Sequence, residues 1–413
     1  MKTEIINVGN EVLLGSILNE NARFLSERLA SIGFELLGHR VVGDQGQNIR
    51  EAFQEACKRG QLIIFTGGLG ATLDDLTREV VASQLELPLE KNSFWEEQLE
   101  AIYSKVGIEL DEKRKKQALI PEGCKLIPNN NGTAPGIIIE KEEKLIILLP
   151  GPPEEVKPMV EDSVLPYLKG KSPWNVIKTL VLKVIGLGEA TLEDRIRDLI
   201  EVEGNPRVVL MAQSTETHIY ITVKGMNKDD VDSILKDWEG KVKEKIGSCL
   251  YGVNEETLEG VVARLLFEGN YTVSTAESCT GGLLADKLTD ISGSSNYFLQ
   301  GIVCYSNEAK MELLHVPQEV LSSVGAVSEE TARAMVENIR SSSSSHFSLS
   351  TTGYAGPSDD PDEPAGLVYI GLGTPQGTFC RKFNFWGSRR SVKEQAAVSA
   401  LNLLRLYLEG HLK

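Results

Sequence analysis

The chain has 413 residues, 41% of them hydrophobic and 25% charged, with a formal charge of −16. That length exceeds one ordinary hydrophobic core, so two or three globular domains are expected. The acid excess argues against a broad phosphate-backbone contact surface, no apolar run approaches the roughly 20 residues that cross a bilayer, and six cysteines without a CxxC indicate neither a disulfide framework nor a thiolate zinc site.

The opening residues "MKTEIINVGNEVLLG" lack the basic start and small-residue cleavage site of a secretion signal, so a cytoplasmic protein with reduced thiols is expected, binding neither nucleic acid nor membrane. Through about residue 170, β-rich runs ending in glycine alternate with helical periods: "TEIINVG", "NARFLSERLASIGF", "QLIIFTGG", "KLIILLPGPP". This alternation predicts an α/β domain over 1–170, with a mostly parallel sheet, helices on its faces and ligands beyond the carboxyl ends of its strands. "TGGLGATLDDLT" (66–77) follows one such strand. Gly67, Gly68 and Gly70 let main-chain amides reach a phosphate, and Asp74 and Asp75 can hold a divalent cation that bridges to it. The same residues read equally as a tight turn and a helix cap. Asp44 in "VGDQ", and Glu11 and Asn19 in "GNEVLLGSILNEN", fall after neighbouring strands and suggest one shared pocket. With five histidines in the chain, a metal there would be held by carboxylates, as Mg²⁺ or Mn²⁺ prefer. The basic run "EKRKKQ" (112–117) reads as a solvated helix face.

"LKGKSPW" marks a boundary, and residues 171–252 read as a small α+β unit with two to four strands, a spacer or dimerisation domain. From 253 to 413 the α/β alternation restarts. "LEGVVARLLFEG", "GLLADKLTD", "SEETARAMVENIR" (N-capped by Ser328) and "SVKEQAAVSALNLLRLYLEG" read as helices; "YTVSTAES", "YFLQGIVCYS", "FSLSTTG" and "GLVYIGLG" read as strands. The run Ser341 to Ser345 is expected to be a surface loop.

"TAESCTGG" (275–282) sets Ser278, Cys279 and Thr280 where a strand becomes a helix, so backbone amides and the positive helix end converge on possible nucleophiles. Ser278 or Thr280 as a simple helix cap is the structural alternative, but it leaves Gly281-Gly282 unexplained. No histidine is near. "CYSNEAK", after the next strand, offers Tyr305 and Lys310, and a lysine serves as base when burial lowers its pKa. Cys279 is the competing nucleophile.

"TAESCTGG", "YSNEAK", "GAVSEETARAM" and "TTGYAGP" together resemble the nicotinamide mononucleotide deamidase domain, and the whole chain resembles the competence/damage-inducible protein A family. The resemblance implies a Ser278–Lys310 dyad that hydrolyses nicotinamide mononucleotide to nicotinic acid mononucleotide and ammonia, without a metal. It places Tyr305, Thr280 and Arg389 in the active site, gives the oxyanion to amides of Thr280 to Gly282, and sets Gly281, Gly282, Gly353, Ala355 and Gly356 at the substrate. Two positions depart from the family's pattern: "SDDPDEPAG" replaces a glycine-rich segment after "AGP", and Ser388 replaces an aspartate.

The amino-terminal part resembles the three-layer molybdopterin-binding fold. In this family it implies ADP-ribose pyrophosphatase activity, with Mg²⁺, Mn²⁺ or Co²⁺, and K⁺ as a further cation, at Asp44, Asp74 and Asp75. Glu11, Asn19, Gly67, Gly68 and Gly70 are then the substrate contacts, and a homodimer is expected. Asn10 stands where aspartate is common. Two alternatives stay open: a molybdopterin-binding or adenylyl-transferring amino-terminal half, and a non-enzymatic competence or damage-response accessory protein.

Overall fold

The computed structural model describes residues 1–105, 107–172, 174–357 and 364–412. They gather into two compact units, Met1–Lys178 with Lys224–Val231, and Thr179–Val223 with Asp232–Lys413. Among the described residues, no helix is long and apolar enough to cross a membrane.

The first unit contains strands β1 (Lys2–Val8), β2 (Glu35–Val42), β3 (Leu62–Thr66), β4 (Leu89–Lys91), β5 (Leu119–Pro121), β6 (Lys125–Ile127), β7 (Gly136–Lys141) and β8 (Lys144–Leu149). Six of them form one sheet of order β2-β1-β3-β8-β7-β6, while β4 and β5 pair separately. Runs such as "LIIF" and "LIILL" are apolar throughout because both faces of the sheet are covered. Successive side chains alternate sides. Ile5, Leu62, Ile64 and Ile147 pack with Leu25 and Leu29 of helix Glu20–Ser31, whereas Ile6, Ile63, Phe65 and Ile146 pack with Ala52, Phe53 and Ala56 of helix Gly46–Arg59. The result is the expected three layers. The sheet is parallel over β2, β1, β3 and β8, but β7 returns antiparallel to β8 through a two-residue turn at Glu142 and Glu143. That hairpin was not evident from the strand-and-helix alternation, because a tight turn needs no connecting helix.

In the second unit, β9 (Val176–Val184), β10 (Arg207–Ala212), β11 (Thr217–Gly225) and β12 (Leu250–Val253) form a four-stranded sheet of order β10-β11-β9-β12, accompanied by helices Glu189–Ile200 and Lys228–Ile246. The rest is built on β13 (Val273–Glu277), β14 (Phe298–Val303), β15 (Phe347–Gly353), β16 (Leu367–Thr374) and β17 (Gly377–Asn384), in the order β14-β13-β15-β16-β17. β13 runs parallel to both neighbours, so its carboxyl end opens beside those of β14 and β15; β16 and β17 complete the sheet as an antiparallel hairpin. β17, "GTFCRKFN", is an edge strand with a mostly exposed or half-buried pattern and gave no sequence signal.

The serine-rich character of β15 has a packing cause. Ser348 Oγ donates to the Val336 carbonyl and Ser350 Oγ to the Ala332 carbonyl, each at 2.7 Å. Two strand residues advance about 6.6 Å and four helix residues about 6 Å, so alternate hydroxyls of β15 match carbonyls one turn apart on helix Glu329–Ser343. Gly371 and Gly373 of β16 make room, since a Cβ at either would stand 2.5 Å or less from those same hydroxyls. The serine run is likewise not a surface loop. Ser341 to Ser343 end this helix, and Ser345 is buried, bonded to Ser274 Oγ at 2.8 Å and to the Phe347 carbonyl at 2.7 Å. Hydroxyls satisfied internally can be buried, which a compositional reading cannot foresee.

Helix Arg389–Leu408 packs on this sheet and is tied down near its carboxyl end by Arg405, whose side chain is fully buried. Its guanidinium donates to the Ser248 carbonyl (2.7 Å), Asn402 Oδ1 (2.8 Å) and Glu409 Oε2 (2.6 Å). Arg405→Met keeps most of the volume but strands these acceptors. Chemical denaturation is expected to show about 2–4 kcal/mol less stability in the transition of this unit.

Candidate active site

The residues between β13 and helix Leu283–Thr289 form a turn that only glycine completes. Gly281 and Gly282 hold φ of 62° and 93°, in the left-handed region, and the Gly281 amide closes the turn onto the Ser278 carbonyl at 3.1 Å. What fixes the turn is Glu277, a residue the sequence reading did not single out. Its carboxylate, 1% exposed, accepts from the amides of Gly282 (3.0 Å), Leu284 (3.0 Å) and Ala285 (2.8 Å). The cap is therefore Glu277 rather than Ser278 or Thr280, and it spends the amide of Gly282. The expected oxyanion donors shift accordingly. With Gly281 and Gly282 engaged, the turn's remaining amides are those of Cys279 and Thr280, nearest the nucleophile.

Two further bonds seat the turn on β15: the Ser278 amide donates to the Thr351 carbonyl at 2.9 Å, and the Thr280 and Thr351 hydroxyls lie 2.6 Å apart. Ser278 is 7% exposed. Facing it is Lys310 on helix Asn307–Leu314, which starts at the N-cap Ser306 just past β14. Lys310 is 2% exposed, and its Nζ sits 3.0 Å from Ser278 Oγ, 3.0 Å from the Cys304 carbonyl and 3.3 Å from the Tyr305 carbonyl. Burial pushes its pKa below the ordinary lysine value. A neutral amine has two N–H groups and one lone pair. With the two carbonyls taking the hydrogens, the lone pair is left for the Ser278 hydroxyl.

Cys279 is not a rival in this setting. Its thiol is 5% exposed, and burial pushes its pKa up to about 12, so no thiolate forms near neutral pH.

Tyr305 and Arg389 meet at the mouth of the site, where Arg389 donates to the Tyr305 hydroxyl (2.5 Å) and to the Gly356 carbonyl (2.8 Å). Arg389 opens its helix behind the N-cap Ser388, whose Oγ accepts from the Ser391 amide at 3.3 Å. The serine that departs from the family pattern thus caps this helix. Gly353 ends β15 against β16, where a Cβ would lie 2.5 Å from the Leu367 carbonyl; Ala355 is buried in the adjoining core. Of "SDDPDEPAG", residues 358–363 lie outside the described part.

In the first unit, Glu11, Asp44, Gly67, Gly68, Gly70, Asp74 and Asp75 line one cavity of about 320 Å³ at the strand ends. The glycines have steric duties there. A Cβ would fall 2.1 Å from the Val8 carbonyl at Gly67 and 2.2 Å from Thr77 Oγ1 at Gly68, and the Gly67 amide already donates to the Leu149 carbonyl at 3.0 Å. Asn19 Oδ1 caps helix Glu20–Ser31 while its Nδ2 bonds Asn7, so it holds the loop and lines the adjacent cavity of about 210 Å³. Asp75 accepts from the Thr72 amide at 2.8 Å, and Asp74 accepts from the Thr72 hydroxyl. Burial raises the Asp44 pKa, the Asn10 amide opposes this, and the charges of Glu11, Asp74 and Asp75 add to the rise. A cation would relieve that repulsion. Yet among the described residues no three His, Cys, Asp or Glu side chains gather as a ready ligand set.

Three family models match the chain. One described as "Probable molybdopterin binding domain" covers residues 4–170, "Damage-inducible protein CinA KH domain" covers 179–252, and "CinA C-terminal domain" covers 255–408. A competence-damage inducible protein of Thermoanaerobacter pseudethanolicus is 46% identical over 411 residues, 99% of each chain. A CinA-like protein of Kosmotoga olearia is 45% identical over 411 residues, 98% of each. A crystal structure of a CinA superfamily protein from Klebsiella pneumoniae has 32% identity over 37% of this chain and 96% of its own, with a TM-score of 0.36.

The Glu277 cap yields a stability prediction. Glu277→Ala leaves three backbone amides without their acceptor, and thermal and denaturant unfolding are expected to report a loss of about 2–4 kcal/mol. An unchanged midpoint would show that the cap is dispensable.

Proposed function

Since the chain belongs to the competence/damage-inducible protein A family, we propose that its carboxyl-terminal domain hydrolyses the carboxamide of nicotinamide mononucleotide, with Ser278 as nucleophile and Lys310 as its base. The observation that carries this reading is the 3.0 Å approach of a buried lysine amine to a serine hydroxyl, with two carbonyls accepting its other hydrogens. No imidazole is needed.

Ser278 Oγ attacks the amide carbon as its proton passes to Lys310 Nζ, and the oxyanion is received by the amides of Cys279 and Thr280. Lys310 returns that proton to the departing nitrogen, the C–N bond breaks, and ammonia leaves an acyl ester on Ser278. Water then adds to the ester, giving a proton to Lys310, which hands it back to Ser278 Oγ as nicotinic acid mononucleotide departs. Each proton taken is returned, so the cycle consumes one water. Arg389, spanning Tyr305 and Gly356, sits where it can pair with an anionic part of the substrate.

For the amino-terminal domain we propose metal-dependent cleavage of ADP-ribose to AMP and ribose 5-phosphate. The supporting observation is that five acidic side chains, those of Glu11, Asp44, Asp74, Asp75 and Glu155, line one glycine-edged cavity. Asp44, Asp74 and Asp75 would hold a divalent cation, and the chemistry it would supply is charge neutralisation for pyrophosphate cleavage. A molybdopterin ligand would be favoured instead if ADP-ribose were left intact with Mg²⁺, Mn²⁺ and Co²⁺ alike, and chelation is expected to abolish AMP release.

The deamidase reading is tested by ammonia release from nicotinamide mononucleotide. The unmodified chain is expected to be active, and Ser278→Ala and Lys310→Met are each expected to lose about 10³-fold or more in kcat. Full activity in Ser278→Ala would remove the proposed nucleophile. The pH profile follows from the depressed lysine. Below its pKa the ammonium has no lone pair, so kcat/KM is expected to rise with pH along a limb whose midpoint lies under 10.5, the ordinary lysine value. Stability moves the same way. From 10.5 down to the folded pKa, the unfolded chain takes up a proton that the folded chain refuses, so Lys310's contribution falls as pH falls through this window.

A further inference from the structure

Helix Arg389–Leu408 begins with two pairs at helical spacing that are built differently. Arg390 and Glu394 are of opposite charge and joined at 2.6 Å. Arg389 and Lys393, one turn apart on the neighbouring stripe, are both cations. Like charges four residues apart on a helix repel, and opposite ones attract by a similar small amount. The chain has 59 acidic and 43 basic residues, yet among the described residues no carboxylate pairs with either cation. Among the described residues, Arg389 bonds the Tyr305 hydroxyl and the Gly356 carbonyl. Lys393 is half-buried and, among the described residues, has no hydrogen-bond or ion-pair partner within the protein.

The position of Lys393 is specific. A Cβ on Gly281 would lie 3.3 Å from Lys393 Nζ, so the ammonium rests against the glycine turn that carries the nucleophile. The glycine leaves that ammonium uncovered, and the Gly281 amide is already engaged with the Ser278 carbonyl. Two cations with no acidic partner among the described residues therefore flank the Ser278 turn from one helix face, a pocket edge complementary to a compact dianion.

We infer that Lys393 binds the phosphate monoester of the substrate together with Arg389, and so makes the site selective for a nucleotide over its nucleoside. This rests on the deamidase reading given above for the same site. Lys393 contacts the phosphate and is not required for proton transfer, which belongs to Lys310.

The test uses the full chain and Lys393→Met and Lys393→Arg. Ammonia release is measured with nicotinamide mononucleotide and with nicotinamide riboside, and inorganic phosphate binding is measured directly by calorimetry. In Lys393→Met, KM for the mononucleotide is expected to rise about 10- to 100-fold with kcat little changed, as for loss of one charge-assisted bond. Selectivity for mononucleotide over riboside and affinity for phosphate should fall by a similar factor, with Lys393→Arg retaining most of both. Unchanged KM and unchanged phosphate affinity in Lys393→Met would overturn the inference, as would a fall in kcat with KM unmoved. If the unmodified chain released no ammonia, the deamidase reading would fail separately. The phosphate measurement would still decide Lys393: no binding by the unmodified chain, or equal binding by the variant, rejects it.

Discussion

A lysine held out of water by neutral partners is the constraint around which the carboxyl-terminal site is arranged. Lys310 is buried against the carbonyls of Cys304 and Tyr305 and the hydroxyl of Ser278, and among the described residues no carboxylate reaches it. Burying an ammonium without a counterion is costly, and the protein's response is a lowered pKa rather than an ion pair. The geometry demands that β14 end at Val303, so that two successive carbonyls turn toward the amine, and that the next helix begin at once to bring residue 310 back over them.

Glu277 obeys the same rule with the opposite sign. Its carboxylate lies in the same part of the core, yet it is satisfied by three backbone amides and not by Lys310. Had the two paired, each would have stabilised the other's charge, and the amine would have remained a poor base. The backbone satisfies the two groups separately, and burial lowers the pKa of Lys310. The carboxylate holds the Ser278 turn in place, and the amine faces the Ser278 hydroxyl.

The surrounding sheet is built for rigidity at short range. Hydroxyls of β15 reach helix carbonyls one turn apart, glycines of β16 admit that close approach, and Thr351 anchors both Ser278 and Thr280. A serine held by such a frame has little freedom to reorganise. The amino-terminal cavity is organised less tightly for chemistry. Its glycines are fixed by close contact with Val8 and Thr77, and two of its aspartates are occupied with Thr72, so its acidic groups share a cavity without converging on a point.

Much of this was legible in the residues. Buried apolar runs and helical periods indicated a helix-covered sheet in the first unit and a renewed α/β alternation after residue 253, because periodicity records which faces are covered. The family resemblance added the pairing of Ser278 with Lys310 and their meeting with Tyr305 and Arg389. The residues alone offered no reason to prefer Lys310 over a solvated helix start. The tertiary structure decided what depends on partners distant in the chain. It assigned the helix cap to Glu277, engaged the amides of Gly281 and Gly282 within the turn, buried Ser345 instead of exposing it, and laid Lys393 over Gly281. A sequence states which groups a segment carries, but a hydrogen bond spends each donor once, and only the assembled fold shows where it was spent.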